Sequence, residues 1–181
     1  MATRGYFGLG VHGISKPMNV GNLVRTAHAF GASFVFLIDP HVAMADIGAA
    51  DTSDTARSMP LYTFASIDQM VLPRGCELVG IEFLPDAVEL PSFRHPRRAL
   101  YLLGPELDSL PDDVLARCDH VLRIPTRFCV NVATAGAIVL YDRVISMGRH
   151  APRPVQPGGP ETPRIEGGRP GAIDLDDLPD Y

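Results

Sequence analysis

The chain has 181 residues, with 16 Lys and Arg against 21 Asp and Glu for a formal net charge of −5, and 46% of its residues are hydrophobic. That length suits one domain with an appendage, and a body of about 150 residues buries roughly 70% of its unfolded surface without a staple. Cys76, Cys118 and Cys129 form no close pair, which excludes a disulfide framework and a thiolate zinc site. The apolar runs 29–38 and 132–141 are well short of the roughly 18 residues of a membrane span, and residues 1–5 lack the apolar core of a signal peptide. A soluble, cytoplasmic, single-domain protein is expected.

In chain order, short β-rich runs alternate with helical ones. Residues 6–11 read as a strand. Val20, Leu23, Val24, Ala27 and Phe30 recur at helical spacing, and Gly31 fits the stop. Residues 33–38 (SFVFLI) form a continuous apolar run, as in a strand buried on both faces. Residues 44–55 are ambiguous. A strand over 61–64, a short helix over 66–71, and strands over 77–83 and 98–103 follow. Residues 112–118 read as a helix, 120–124 as a strand stopped by Pro125, and 131–147 as the longest helix, closed by Gly148. The alternation predicts an α/β fold with a mainly parallel sheet and helices on both faces. Ligands of such sheets sit at the carboxyl ends of the strands, so the loops after Val11, Leu103 and Ile124 are the ones of interest. The last helix is apolar nearly all round its first turns, and such a helix needs cover on more than one face; a subunit interface is one source of it.

Charge is unevenly spread. Residues 151–181 hold seven Pro, five Gly, three Arg and six Asp and Glu, which reads as a disordered acidic tail behind a body at 1–150. The body is near neutrality, and Lys16 is the sole lysine of the chain. Arginine dominance suits phosphate recognition through bidentate forks, or reflects genomic bias.

Four segments invite chemistry. Gly8-Leu9-Gly10-Val11-His12-Gly13 spells G-x-G-x-x-G, but Pro17 would fall inside the helix that a dinucleotide fingerprint requires. Asn19 is placed as an N-cap, with Asn22 and Arg25 adjacent on one face of the helix it starts, suited to a phosphate or polar sugar or simply to solvent. Leu103-Gly104-Pro105-Glu106 ends a strand, where glycine allows close approach of a ligand and Glu106 could accept its hydrogen bonds; a plain turn explains it equally. Ile124 to Val132 connects a strand to the long helix, with Asn131 in the N-cap position. Cys129 lacks an obvious His partner for nucleophilic work.

Together, and in this order, three of these segments resemble the motifs of the SpoU/TrmH family of the SPOUT superfamily, the ribose 2′-O-methyltransferases of RNA. The first runs from Asn19 through Arg25 to Ala32. The second is Leu102-Leu103-Gly104-Pro105-Glu106. The third is Ile124-Pro125-Thr126, then Val130-Asn131-Val132-Ala133, then Ala137 to Asp142. The resemblance covers about residues 6–147. It implies a SPOUT-type fold with a C-terminal trefoil knot, and S-adenosylmethionine in that knot against Leu103, Gly104, Ile124 and Val130, with Glu82 bordering the adenosine. It implies an obligate homodimer in which Arg25 of one subunit completes the site of the other. Arg25, Asn131 and Glu106 are the implied catalytic set, and Asn19, Asn22, Arg25 and Arg127 the implied substrate contacts. Ser109 stands where the family usually has glycine, and Cys129 and Ala133 where it has serine.

The implied activity is methyl transfer to an RNA ribose, with tRNA as first substrate and ribosomal RNA second. The donor brings the reactive methyl, so no metal is required. Arg25 is expected to orient the ribose oxygen and its phosphate rather than act as a base, because guanidinium keeps its proton. Arg94, Arg97 and Arg98, with Arg123 and Arg127, are the candidate electrostatic grip. The alternatives are a catalytically silent RNA-binding relative and a nicotinamide-dependent oxidoreductase using residues 8–13.

Overall fold

In a computed structural model, residues 5–43, 59–106, 108–148, 150, 157 and 159 are described. Seven strands form one parallel sheet: β1 (Tyr6–His12), β2 (Phe34–Ile38), β3 (Leu61–Phe64), β4 (Glu77–Ile81), β5 (Val88–Glu89), β6 (Arg98–Leu103) and β7 (His120–Arg123), in the order β3-β2-β1-β6-β4-β7-β5. The helices among the described residues are α1 (Pro17–Ala29), α2 (Asp112–Ala116) and α3 (Val132–Met147), with 3-10 turns at Ile67–Gln69 and Leu90–Ser92. The expected α/β fold with a parallel sheet is present. Residues 44–55 and nearly all of 151–181, for which no assignment and a disordered tail were expected respectively, lie outside the described residues.

The two faces of the sheet are covered unequally. Alternation along the strands sends Leu9, Val11, Val35, Val79, Tyr101 and Leu103 to one side, where α1 and α3 supply Val20, Leu23, Val24, Val139 and Leu140. Phe34, Phe36, Leu78, Leu100 and Leu102 face the other side, under Ile67, Met70, Leu110 and Val114 of the short helices and loops. The apolar circumference of α3 is explained in part within the chain. It packs on the sheet and on α1, and Gly136 makes this close approach possible: a Cβ there would lie 3.2–3.3 Å from Leu9, Leu103 and Leu23. Tyr141 stays 53% exposed on the outer face.

Two glycines of the G-x-G-x-x-G string have a packing explanation. A Cβ on Gly8 would come 2.8 Å from the Phe34 ring, and one on Gly10 2.4 Å from the Phe36 ring. They lie inside β1 and make room for aromatic side chains of β2, and the helix that follows starts at Pro17 rather than within the string. The oxidoreductase alternative thereby loses its motif. The start of α1 is also a correction: its N-cap is Lys16, not Asn19. Proline fits the first helical position, where its missing N–H would have no partner anyway, so Asn19 falls inside the first turn. Gly31 ends the helix as expected, with φ +69.

Candidate active site

The carboxyl ends of β4, β6 and β7 and the start of α1 enclose a cavity of about 620 Å³. The loop after β6 is tied to the loop after β1 by Glu106, whose Oε2 accepts from the Ser15 amide at 3.0 Å and from the Ser15 hydroxyl. Its Oε1 accepts from Asn19 Nδ2 at 2.6 Å. Asn19 in turn accepts from Asn131 Nδ2 at 3.1 Å, and Asn131 Oδ1 caps α3 by accepting from the amides of Ala133 and Thr134 at 2.9 and 3.4 Å. A continuous polar chain therefore runs Ser15–Glu106–Asn19–Asn131–α3 and joins the three segments singled out in the sequence. Burial pushes the Glu106 carboxyl up, but the hydrogen bonds from Ser15 and Asn19 and the charge of Lys16 outweigh it and leave the pKa below the usual carboxylate value. The carboxylate stays ionised and spends its lone pairs on fixed donors.

The loop walls are shaped for close approach. A Cβ on Gly104 would sit 3.0 Å from Glu82 Oε2 and 3.5 Å from Leu110, so a side chain here would press on the Glu82 carboxylate and narrow this strand end. Glu82 accepts from the amides of Phe83 at 2.8 Å and Leu110 at 2.7 Å, which holds the end of β4 against the loop after β6. The turn from Pro125 to Val130 is pinned by the Thr126 hydroxyl, which donates to the Phe128 carbonyl at 2.9 Å.

Of the residues expected at the site, Glu82, Leu103, Gly104, Glu106, Ile124, Val130, Asn131 and Asn19 all line the cavity. Asn22, Arg25 and Arg127 are exposed and do not line it. Arg25 lies six residues along α1 from Asn19, about 9 Å by helical rise. Arg98 opens β6 while the cavity lies at its other end, roughly 16 Å away by strand rise. The Arg94, Arg97 and Arg98 cluster is therefore at the end of the sheet opposite the cavity. Arg123 pairs with Glu89 at 2.7 Å. Ser109 and Cys129 do line the cavity.

Two features escaped the sequence reading. Ser15 and Lys16 belong to the site, and no local pattern marks a contact between Ser15 and a residue 91 positions away. A second polar cluster lies under α3 at the amino ends of the strands. His95 contacts the Tyr101 hydroxyl at 2.6 Å and Asp142 at 2.9 Å. Arg143 donates to the Pro96 carbonyl at 2.7 Å, the Tyr101 hydroxyl at 2.9 Å and the Arg97 carbonyl at 3.1 Å. Burial lowers the His95 pKa against the opposing pull of Asp142, and raises that of Tyr101 to about 12. Among the described residues no group of three or more His, Cys, Asp or Glu could hold a metal ion, and no helix is long and apolar enough to cross a membrane.

A family model described as the SpoU rRNA Methylase family matches residues 7–141. A mouse tRNA (guanosine(18)-2′-O)-methyltransferase is 27% identical over 138 residues, covering 71% of this chain and 9% of the mouse protein. The Escherichia coli K12 enzyme of the same designation is 26% identical over 135 residues, covering 71% of this chain and 58% of the enzyme. The chain thus spans little more than half of the bacterial relative and a small part of the mouse one. A solved structure described as giving insight into the 2-OH methylation of C/U34 on tRNA superposes with a TM-score of 0.70 at 27% identity, over 79% of this chain and 97% of the other. The methyltransferase AviRb of Streptomyces viridochromogenes, solved with AdoMet, shares the fold with a TM-score of 0.68 at 24% identity, over 78% of this chain and 58% of that one.

Proposed function

The chain belongs to the SpoU rRNA methylase family, and from that premise we propose that it transfers a methyl group from S-adenosylmethionine to a ribose 2′-oxygen of tRNA. Residues 1–150 are taken as the unit that carries the activity, a homodimer working in the cytoplasm, with the C-terminal part threaded as a trefoil knot around the donor. The observation that carries the reading is the Ser15–Glu106–Asn19–Asn131 chain, which brings three separate segments to the rim of one cavity at the carboxyl ends of the strands.

The cavity residues fit the donor. The open wall at Gly104, which a Cβ would close against Glu82, and the neighbouring backbone of Leu103, Ile124 and Val130 would hold it. When bound, S-adenosylmethionine supplies an electrophilic methyl group on a sulfonium centre. The chain's own residues do the rest. Asn131 and Glu106 fix the loops around the donor, so the site is organised before substrate arrives and little reorganisation remains to be done. Arg25 holds the ribose oxygen and its phosphate and stabilises the negative charge that develops on that oxygen, while the hydroxyl proton passes to water; its guanidinium remains protonated throughout. Because Arg25 stands away from its own chain's cavity, the proposal assigns it to the site of the partner subunit.

Incubation of the purified protein with labelled S-adenosylmethionine and total tRNA, followed by nucleoside mass spectrometry, is expected to yield a 2′-O-methyl nucleoside. Product on ribosomal RNA alone overturns the choice of substrate. Absence of donor binding in titration calorimetry overturns the enzyme reading in favour of a silent RNA-binding relative. Arg25→Ala is expected to lower turnover ~100-fold or more with donor affinity unchanged; near-normal turnover would remove Arg25 from the mechanism.

A further inference from the structure

The face of the sheet opposite α1 and α3 is incompletely covered at its amino end. There Tyr6 of β1 is 41% exposed and Tyr62 of β3 is 52% exposed, on either side of the buried Phe34 of β2. The Phe34 ring centre lies 5.7 Å from that of Tyr6 and 5.6 Å from that of Tyr62. The strand register sets Arg98 directly beside Tyr6, a separation of about 4.8 Å between strands. Side chains alternate along each strand, so Tyr6, Phe34, Tyr62 and Arg98 share one face, the face that carries Phe36, Leu78 and Leu100. Arg98 is held in place by donating to the Arg74 carbonyl at 3.1 Å, which sets the backbone of a second exposed arginine beside it. Burial and the neighbouring Cys76 and Tyr62 raise the Tyr6 phenol, and Arg98 is the charge that acts on the Cys76 thiol. From Leu90 to Gly104 the chain has three arginines and no carboxylate.

Exposed aromatic rings on a sheet surface beside a fixed guanidinium group match the chemistry of unpaired nucleotides, whose bases stack on rings and whose phosphates pair with arginine. A purely apolar partner would gain nothing from Arg74 and Arg98, and an acidic peptide would have no use for the two rings. We propose that Tyr6, Tyr62, Arg98 and Arg74 form a second RNA-contact surface, which grips an unpaired stretch of the substrate away from the nucleotide being methylated. It rests on the RNA reading above. β1 runs from this surface to the cavity rim, about 20 Å by strand rise, so the contact acts on the capture of RNA and not on the methyl transfer itself.

The chain has no tryptophan and five tyrosines, so tyrosine emission reports stacking directly. An unstructured oligonucleotide such as oligo(U) is expected to quench the emission of the whole protein. Because both variants remove the reporting rings, they are compared by filter binding: affinity for oligo(U) should fall in the Tyr6→Leu/Tyr62→Leu variant and be retained in Tyr6→Phe/Tyr62→Phe, whose rings still stack. With tRNA, the Leu variant should raise KM ~10-fold and leave kcat and donor affinity unchanged, and Arg98→Gln should lower the slope of log K against log salt by about 1. Thermal unfolding of each variant checks that leucine still covers Phe34. If the unaltered protein methylates RNA and the Leu variant has the same KM, the surface is not an RNA contact. If the unaltered protein methylates no RNA yet binds oligo(U) through the tyrosines, the surface stands and the enzymatic reading fails.

Discussion

Helix α3 is tied down at both ends by polar side chains, and the two ends are built to different rules. At its amino end Asn131 is exposed, Glu106 is partly buried and Asn19 is 7% exposed, and this chain of hydrogen bonds borders a cavity. Near its carboxyl end Arg143 is 2% exposed and His95 6%, and they are packed against the fully buried Tyr101. There every bond closes on another protein group: both ring nitrogens of His95 have partners, the Arg143 guanidinium lies 4.6 Å over the Phe7 ring, and its N–H groups reach two carbonyls and a hydroxyl. Buried polar groups of this kind are costly to leave unsatisfied. The lower cluster is therefore a staple between α3, β6 and the loop before it, whereas the upper chain spends the same kind of bond on holding loops around a cavity. Polarity alone does not mark a site; polarity facing a cavity does.

The sharpest way to break this contrast is at Arg143. Arg143→Met removes three donors from buried acceptors and is expected to cost about 3 kcal/mol of stability, read as a lower urea midpoint at unchanged slope, while the folded fraction keeps its donor affinity. A loss of affinity at intact stability would erase the distinction between the two ends. Asn131 comes next. Asn131→Ala removes the cap of α3 and is expected to cost about 1–2 kcal/mol; Asn131→Asp keeps an acceptor for the helix amides but can no longer donate to Asn19, so it should hold most of the stability and still lose methylation. Equal losses of stability in the two variants would mean that the link to Asn19 is structural only. The smallest effect is expected from pH. Burial depresses the His95 pKa in the fold, so its contribution to stability is complete above the unfolded value of about 6.5 and is lost as pH falls through the folded value. The melting temperature should therefore drop between pH 7.5 and 5.5, and drop less in His95→Gln. An identical slope in that variant would assign the acid sensitivity to other groups.

Much of this layout was legible in the sequence, for identifiable reasons. β2, β6 and α3 are continuous apolar runs bounded by Gly, Pro or Asn, and their positions follow from pattern alone. β5 is two residues long, Val88–Glu89, between prolines at 85 and 91, and nothing so short carries periodicity. The start of α1 was displaced because asparagine is a good cap and proline a good first residue, and the two signals compete at 17–19. At the site, Glu106, Asn131 and the wall residues were found through their order along the chain. Ser15 was not, because its role arises from a contact across 91 positions. The lower cluster was invisible for the same reason: His95 meets Asp142 across 47 residues, and each looks like an ordinary polar residue in its own neighbourhood. Arg94, Arg97 and Arg98 stand together in the sequence, but the sequence alone does not reveal which end of the sheet they occupy.

The polar chain at the cavity has a temporal side as well. Its members stand at positions 15, 19, 106 and 131, spread over most of the body. During synthesis the loop before α1 emerges early and must wait for Glu106, and Asn19 must wait further for Asn131. A nascent chain interrupted anywhere before the third segment lacks a link and cannot complete the wall of the cavity, however well its first strands have paired. The network thus closes only at the end of translation of the body, when its last member has emerged.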